Sequence, residues 1–177
     1  MSKQWAVTAA VVTGLALGAA ALTWVAPDSR VEINHPAPNF RAVDLGTRDS
    51  VSLDDYRGSV TLVNIWATWC LPCREEMPSM QKLYDSLRTR GFRIAAVSID
   101  EGDPEDVVAF AQQLKVTFDI LHDRSGHIQS LYQTTGVPES FLLDRRGTLV
   151  KRVIGAHDWS SSANVGAVER LLSQPEE

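Results

Sequence analysis

The chain has 177 residues, of which 44% are hydrophobic and 22% are charged, and its formal net charge is -5. This composition is that of a folded globular protein and excludes an intrinsically disordered one. The acidic balance argues against a nucleic-acid-binding protein, because phosphate contacts need a basic surface. The two cysteines, Cys70 and Cys73, are too few for a multi-disulfide scaffold or a four-cysteine zinc site.

The first predicted element is an uncharged apolar helix over residues 5–26, preceded by a short segment, 1–4, that contains Lys3. A helix of this length spans about 33 Å, which matches a bilayer hydrocarbon core of about 30 Å. We predict a retained transmembrane anchor with a cytoplasmic N-terminus and an exported domain. A cleaved signal peptide is the alternative, because Ala19 and Ala21 form an acceptable cleavage site.

Residues 27–39 are predicted to form an extended tether, because Pro27, Pro36 and Pro38 favour extended backbone. The remaining chain, 37–177, is long enough for one domain with one core. Continuous apolar runs over 59–67 and 92–99 predict two strands that are buried on both faces.

The long segment between these strands, 71–88, is predicted to be a helix whose apolar residues face the core. A second helix, capped by Asp103, runs to about Lys115. A strand near Ile120, a helix over 128–133, a hairpin around the turn 145–147 and a helix over 161–172 complete the chain. This order predicts an α/β domain with a mixed sheet flanked by helices.

The cysteine pair lies in the segment WCLPCREEMP, 69–78, where the first buried strand ends and the long helix begins. The free N–H groups and the dipole at a helix N-terminus stabilise a thiolate and lower the cysteine pKa. Cys70, at the start of the helix, is the predicted nucleophile. Cys73, on the core-facing side, is the predicted resolving thiol. Two structural cysteines or half of a metal site are the alternatives, and no metal ion or other cofactor is expected.

The segments VNIWATWCLPC and GVPESFLLD and the order of elements resemble the thioredoxin superfamily. The longer motif WCLPCREEMP, the N-terminal apolar run and the APNF start resemble its membrane-anchored TlpA/ResA/DsbE branch. Over about residues 36–174, the resemblance implies a thioredoxin fold with an N-terminal extension and a central insertion. Residues 92–99 and the Asp103-capped helix are expected to supply part of that insertion. The resemblance also implies a redox-active Cys70–Cys73 disulfide, supported by its neighbours Trp69 and Pro72.

The resemblance implies that Pro138 is a cis-proline facing the cysteine pair. The backbone of Val137 would then offer an edge to an extended substrate segment. Asn64 stands where thioredoxin has a buried acid, and an amide cannot exchange a proton as a carboxylate does.

A glutamate at the position of Glu76 belongs to the active site in the branch that this chain resembles. Glu76 follows Cys73 by three residues, which is contact distance on a helix. Glu76 is therefore the predicted proton shuttle and a predicted substrate contact. The alternative is a solvated surface charge, as expected of Glu75.

The resemblance implies a membrane-tethered oxidoreductase on the periplasmic side of a bacterial inner membrane. It would reduce disulfides of an exported protein, either apocytochrome c or an oxidase copper-site subunit, with electrons from a DsbD/CcdA-type membrane protein. A copper chaperone using the same cysteines is a second hypothesis, although Met77 and Met80 fit the core stripe. A peroxiredoxin-like peroxidase is a third, but it needs threonine or serine three residues before the reactive cysteine, where Ala67 stands.

Overall fold

Seven strands and four α-helices make up the part of the chain that the computed structural model describes, residues 31–174. The strands are β1 (Arg41–Asp44), β2 (Ser50–Ser52), β3 (Val60–Trp66), β4 (Phe92–Ser98), β5 (Asp119–His122), β6 (Glu139–Leu143) and β7 (Leu149–Ile154). The helices are α1 (Leu71–Leu87), α2 (Pro104–Gln113), α3 (His127–Leu131) and α4 (Ser162–Leu172). Short 3-10 helices follow β2 and α1.

The strands form one mixed sheet in the order β2-β1-β5-β4-β3-β6-β7. β3 lies inside the sheet, parallel to β4 and antiparallel to β6, and all seven of its residues are buried. This burial explains its continuous apolar sequence, because such a strand meets no solvent on either face. The predicted hairpin forms as β6 and β7. The expected α/β architecture with a mixed sheet is therefore confirmed.

Helix α1 begins directly after Cys70, which is its N-cap residue, and it has proline in its first turn. Proline suits this position because the first N–H groups of a helix have no partner within the helix. Met77 and Met80 are fully buried, as the core stripe predicts. Helix α2 begins as predicted, with the carboxylate of Asp103 accepting a hydrogen bond from the Glu105 N–H at 3.0 Å.

Residues 92–99, which were expected to supply part of a central insertion, form a central strand of the sheet. This run forms β4, which pairs with β3 over all seven positions and lies inside the sheet. The next strand along the chain, β5, pairs in parallel with β4 on the side away from β3. Helix α2 lies between β4 and β5 in the chain and supplies the crossover that a parallel pair of strands requires.

The N-terminal part of the described chain is bound to the domain rather than extended away from it. The N–H groups of Asn34 and Ala37 donate to the carbonyl oxygens of Leu149 and Gly147, at 2.8 and 2.9 Å. The Leu149 N–H donates in return to the His35 carbonyl at 2.9 Å. The prediction of a tether over 27–39 is therefore wrong for residues 34–37, which pair with the start of β7. The hairpin of β1 and β2 then follows, which the sequence patterns did not predict.

No helix within residues 31–174 combines the length and apolar character needed to cross a membrane. The predicted anchor, 5–26, and the predicted cytoplasmic segment, 1–4, lie outside the described residues.

Candidate active site

Cys70 and Cys73 form a disulfide at the N-terminus of α1. Cys70 is 5% exposed and Cys73 is completely buried, so of the two cysteines only Cys70 is accessible to a protein partner. The backbone N–H of Cys73 points at the Cys70 Sγ, 3.2 Å away. In the reduced protein this N–H and the helix dipole would stabilise a Cys70 thiolate. Cys70 is thus more accessible than Cys73, as the sequence predicts.

The surface around Cys70 is apolar. Trp69 and Leu71, its two neighbours in sequence, are 69% and 66% exposed, which is unusual for side chains of this size. Pro72 is also exposed. Exposed apolar side chains that surround a reactive group commonly mark a contact surface for another protein.

The loop that leads from β3 to Cys70 is held by Asp100, which follows β4. The Asp100 carboxylate accepts hydrogen bonds from the Thr68 N–H at 3.0 Å and from the Thr68 hydroxyl at 2.6 Å. The Ser98 hydroxyl donates to it at 2.6 Å. Asp100 therefore stabilises the loop before Trp69. Sequence patterns did not identify this role, because Thr68 and Asp100 are neighbours only across the parallel pairing of β3 and β4.

Glu76 is buried, with 2% of its surface exposed, whereas Glu75 is exposed. The Asn64 amide Nδ2 donates to Glu76 Oε1 at 2.7 Å, and the His157 backbone N–H donates to Oε2 at 3.2 Å. The interpretation of Glu76 as a solvated surface charge is therefore wrong. The Asn64 amide cannot exchange a proton as an acid or base, but it holds the carboxyl group that can.

Burial raises the pKa of Glu76 from its usual value of 4.5 to about 7. The hydrogen bonds from Asn64 and His157, and the indole N–H of Trp159, act in the opposite direction and favour the carboxylate. Within residues 31–174 that indole N–H has no partner at hydrogen-bonding distance, so we attribute to it a weaker effect. A carboxyl with a pKa near neutrality can both accept and release a proton at physiological pH.

A polar cavity of about 460 Å³ lies beside Glu76, open to solvent between α1 and the loop before α4. It is lined by Glu75, Glu76, Pro78, Ser79, Lys82, Ala156, His157, Asp158 and Ser160. Because the cavity is open and polar, it offers water access to a carboxyl that is otherwise enclosed.

The Val137–Pro138 peptide bond is cis, as the resemblance implies. Pro138 is buried and Val137 is half-buried. Glu139, the next residue, pairs with Ile65 near the end of β3. The register of β3 and β6 therefore places Pro138 at the end of the sheet from which the chain leaves for the cysteines.

The site also contains residues that sequence reasoning missed: Ser140, His157 and Trp159. Ser140 accepts a hydrogen bond from the second N–H of the Asn64 amide at 2.9 Å. Its position opposite Asn64 follows from the β3–β6 register, which the sequence does not specify. His157 and Trp159 belong to an irregular loop, where no periodic pattern shows which groups point inward.

Comparison with known proteins gives a consistent result. The family model described as the AhpC/TSA family matches residues 33–152. The thiol-disulfide oxidoreductase ResA of Bacillus thuringiensis subsp. konkukian is 35% identical over 128 residues, which cover 72% of this chain and 73% of that protein.

Two crystal structures share the fold. One is assigned as the thiol:disulfide interchange protein DsbE of Chlorobium tepidum, with 30% identity, a TM-score of 0.68, and coverage of 80% of this chain and 95% of that chain. The other is the thioredoxin domain of a thiol-disulfide oxidoreductase of Bacteroides vulgatus, with 27% identity, a TM-score of 0.70, and coverage of 80% and 99%.

Proposed function

The chain belongs to the AhpC/TSA family and is a thiol–disulfide oxidoreductase of the TlpA/ResA/DsbE-like branch of the thioredoxin superfamily, and we propose that it reduces protein disulfides. One observation carries the proposal: of the two bonded cysteines at the start of α1, only Cys70 keeps exposed surface, and its neighbours in sequence, Trp69 and Leu71, are exposed apolar residues. This arrangement suits attack on a disulfide in another protein and protects the second thiol from side reactions.

In the proposed reaction, the Cys70 thiolate attacks one sulfur of the substrate disulfide. That S–S bond breaks, one substrate thiolate leaves, and a mixed disulfide forms between Cys70 and the substrate. The Cys73 thiolate then attacks the Cys70 Sγ and releases the second substrate thiolate. Two electrons pass from the enzyme dithiol to the substrate, and the Cys70–Cys73 disulfide of the present structure is the product.

Resolution requires Cys73 to lose its proton inside the protein, because this residue has no exposed surface. Glu76 lies one helical step further along α1 and is equally enclosed, with a pKa raised to about 7. We assign to it the acceptance of the Cys73 proton, which it then passes to water in the adjoining cavity or to the departing thiolate.

We expect the pair to be a reductant, because the Leu-Pro dipeptide between the cysteines resembles the Gly-Pro of reducing thioredoxins. Reduced full-length protein, mixed with a peptide that contains a CxxCH disulfide, should reduce one disulfide per Cys70–Cys73 pair. The potential should lie closer to the about -270 mV of thioredoxin than to the about -120 mV of DsbA. Thiol alkylation with mass spectrometry and equilibration with glutathione provide the measurements. A potential near that of DsbA would contradict the reductive direction.

We further propose that the domain is tethered to the outer face of a bacterial inner membrane. It would there receive electrons from a DsbD/CcdA-type membrane protein and reduce apocytochrome c or a copper-site subunit of an oxidase. The support is the uncharged run 5–26 after Lys3 and the likeness to ResA and DsbE proteins.

Alkaline phosphatase fused after residue 40 should be active in a bacterial host, because this enzyme needs an exported location to form its disulfides. Cell fractionation should find the fusion in the membrane. The same fusion with residues 5–26 deleted is the control and should be inactive. Phosphatase activity of the deletion variant would contradict the export role of the apolar run. Release of the mature fusion from the membrane would contradict the retained anchor but not the export.

Two other functions fit the structure less well. A copper chaperone would use nearby methionines as ligands, but Met77 and Met80 are fully buried in the core. A peroxidase would need a hydroxyl group three residues before Cys70, and the methyl group of Ala67 occupies that buried position.

A further inference from the structure

Beside the cis-proline lies a buried ion pair that the proposed chemistry does not use. Glu139 directly follows Pro138 and is completely buried. Its Oε1 forms a close ion pair with the Nε of Arg152, whose side chain is 25% exposed. Burying a carboxylate costs desolvation free energy unless the group is paired and hydrogen-bonded. The contacts of Glu139 therefore indicate which part of the structure it stabilises.

The ion pair joins two strands of the hairpin. Arg152 of β7 pairs with Phe141 of β6, two residues beyond Glu139, so both charged side chains extend from the same face of the sheet. The guanidinium also lies 5.4 Å from the centre of the Phe141 ring. The two paired strands thus hold both charged side chains in fixed positions.

The ion pair contacts the backbone of the loop 133–137, which connects α3 to the cis-proline. Arg152 Nη2 donates to the Gln133 carbonyl at 2.8 Å. Glu139 Oε2 accepts from the Thr135 N–H at 3.1 Å. Each charged group therefore binds its ion-pair partner through one polar atom and the loop backbone through another. This loop ends at Val137, whose backbone would pair with the substrate.

We propose that Glu139 and Arg152 are positioning residues for substrate binding: they hold the loop 133–137 so that the backbone of Val137 meets an extended disulfide-bearing segment in one conformation. The inference rests on the proposed reduction of protein disulfides. Its basis is preorganisation, because a loop that is already ordered loses less conformational entropy when the substrate binds. The hydrogen bonds of the pair join its two members to each other and to the loop, not to the cysteines, so its effect falls on substrate affinity and not on the redox chemistry.

Glu139→Gln and Arg152→Lys test the proposal in the full-length protein. Glutamine keeps the shape of Glu139 but removes its charge. Lysine keeps the charge of Arg152 but cannot hold Glu139 and the Gln133 carbonyl at once, because it lacks the guanidinium fork. Arg152→Lys also avoids an unpaired buried carboxylate, so it decides the result if Glu139→Gln does not fold.

The substrate is a CxxCH peptide disulfide, with electrons supplied by dithiothreitol. We expect KM to rise about tenfold in both variants, while kcat, the reduction potential and the pKa of Cys70 stay at their wild-type values. Glu105→Gln is the matched control, because Glu105 forms a surface ion pair with Arg48, and the substitution should leave KM unchanged.

An unchanged KM in a folded variant would overturn the positioning role. A shifted potential or thiol pKa with unchanged KM would overturn it as well, since the pair would then act on the cysteines. Failure of the wild-type protein itself to reduce the peptide would instead refute the proposed function.

Discussion

Cys73→Ser should convert the protein into a trap that holds its substrate through a stable disulfide to Cys70. The variant keeps the accessible Cys70 thiol but lacks the buried thiol that breaks the mixed disulfide, and a serine hydroxyl is too weakly acidic to replace it. Turnover should be abolished, and a one-to-one adduct with a peptide disulfide should appear by mass spectrometry after a single reaction.

Cys70→Ser is the matched control. Its remaining thiol is completely buried, so it should form no adduct and should react slowly with alkylating reagents. Equal capture by the two variants would reverse the assigned roles, because Cys73 would then be accessible to substrate. Since the variants differ only in which sulfur remains, the comparison needs no assumption about the natural substrate.

Glu76→Gln should lower turnover by about 10²–10⁴-fold, which is the usual contribution of a general base. In the wild-type protein, the rate of resolution should rise with pH as Glu76 loses its proton near its pKa of about 7. This rise should be missing in the variant. The pKa of the neighbouring thiol should also fall, because a nearby carboxylate opposes thiolate formation. Stopped-flow measurement of mixed-disulfide decay over pH 5–9 provides the test.

Glu75→Gln is the internal control, because Glu75 is exposed at the preceding position of α1. It should change neither the rate nor the thiol pKa. Similar small effects of the two substitutions would show that Glu76 takes no part in proton transfer.

Equilibrium unfolding of the oxidised protein tests the Glu76 environment independently. The native pKa of about 7 lies above the usual value of 4.5, so the folded state binds the proton more tightly than the unfolded state. The stability associated with this proton is present below pH 4.5 and is lost as the pH rises through 7. Relative to Glu76→Gln, the wild-type free energy of unfolding should fall by roughly 3 kcal/mol over this interval.

Much of the fold was predictable because the signals are local. The continuous apolar runs of β3 and β4, the proline in the first turn of α1 and the Asp103 cap of α2 each specify an element through neighbouring residues. The β1–β2 hairpin was not predictable, because its strands have four and three residues and are too short for a clear alternation. The place of β5 between β1 and β4 was not predictable for a different reason: the order of strands in a sheet depends on long-range pairing.

The sequence by itself determined the chemistry of this protein: two cysteines at the start of a helix, the order in which they are accessible, and a proline turn before β6. These features follow from residue type and from spacing along one element. Only the tertiary structure decided the environment of Glu76. Its burial depends on Asn64 of β3, His157 of a distant loop and the packing of α1 against both. Likewise, only the β6–β7 pairing brings Glu139 and Arg152 together beside the cis-proline, because desolvation and ion pairing are set by groups that are far apart in the chain.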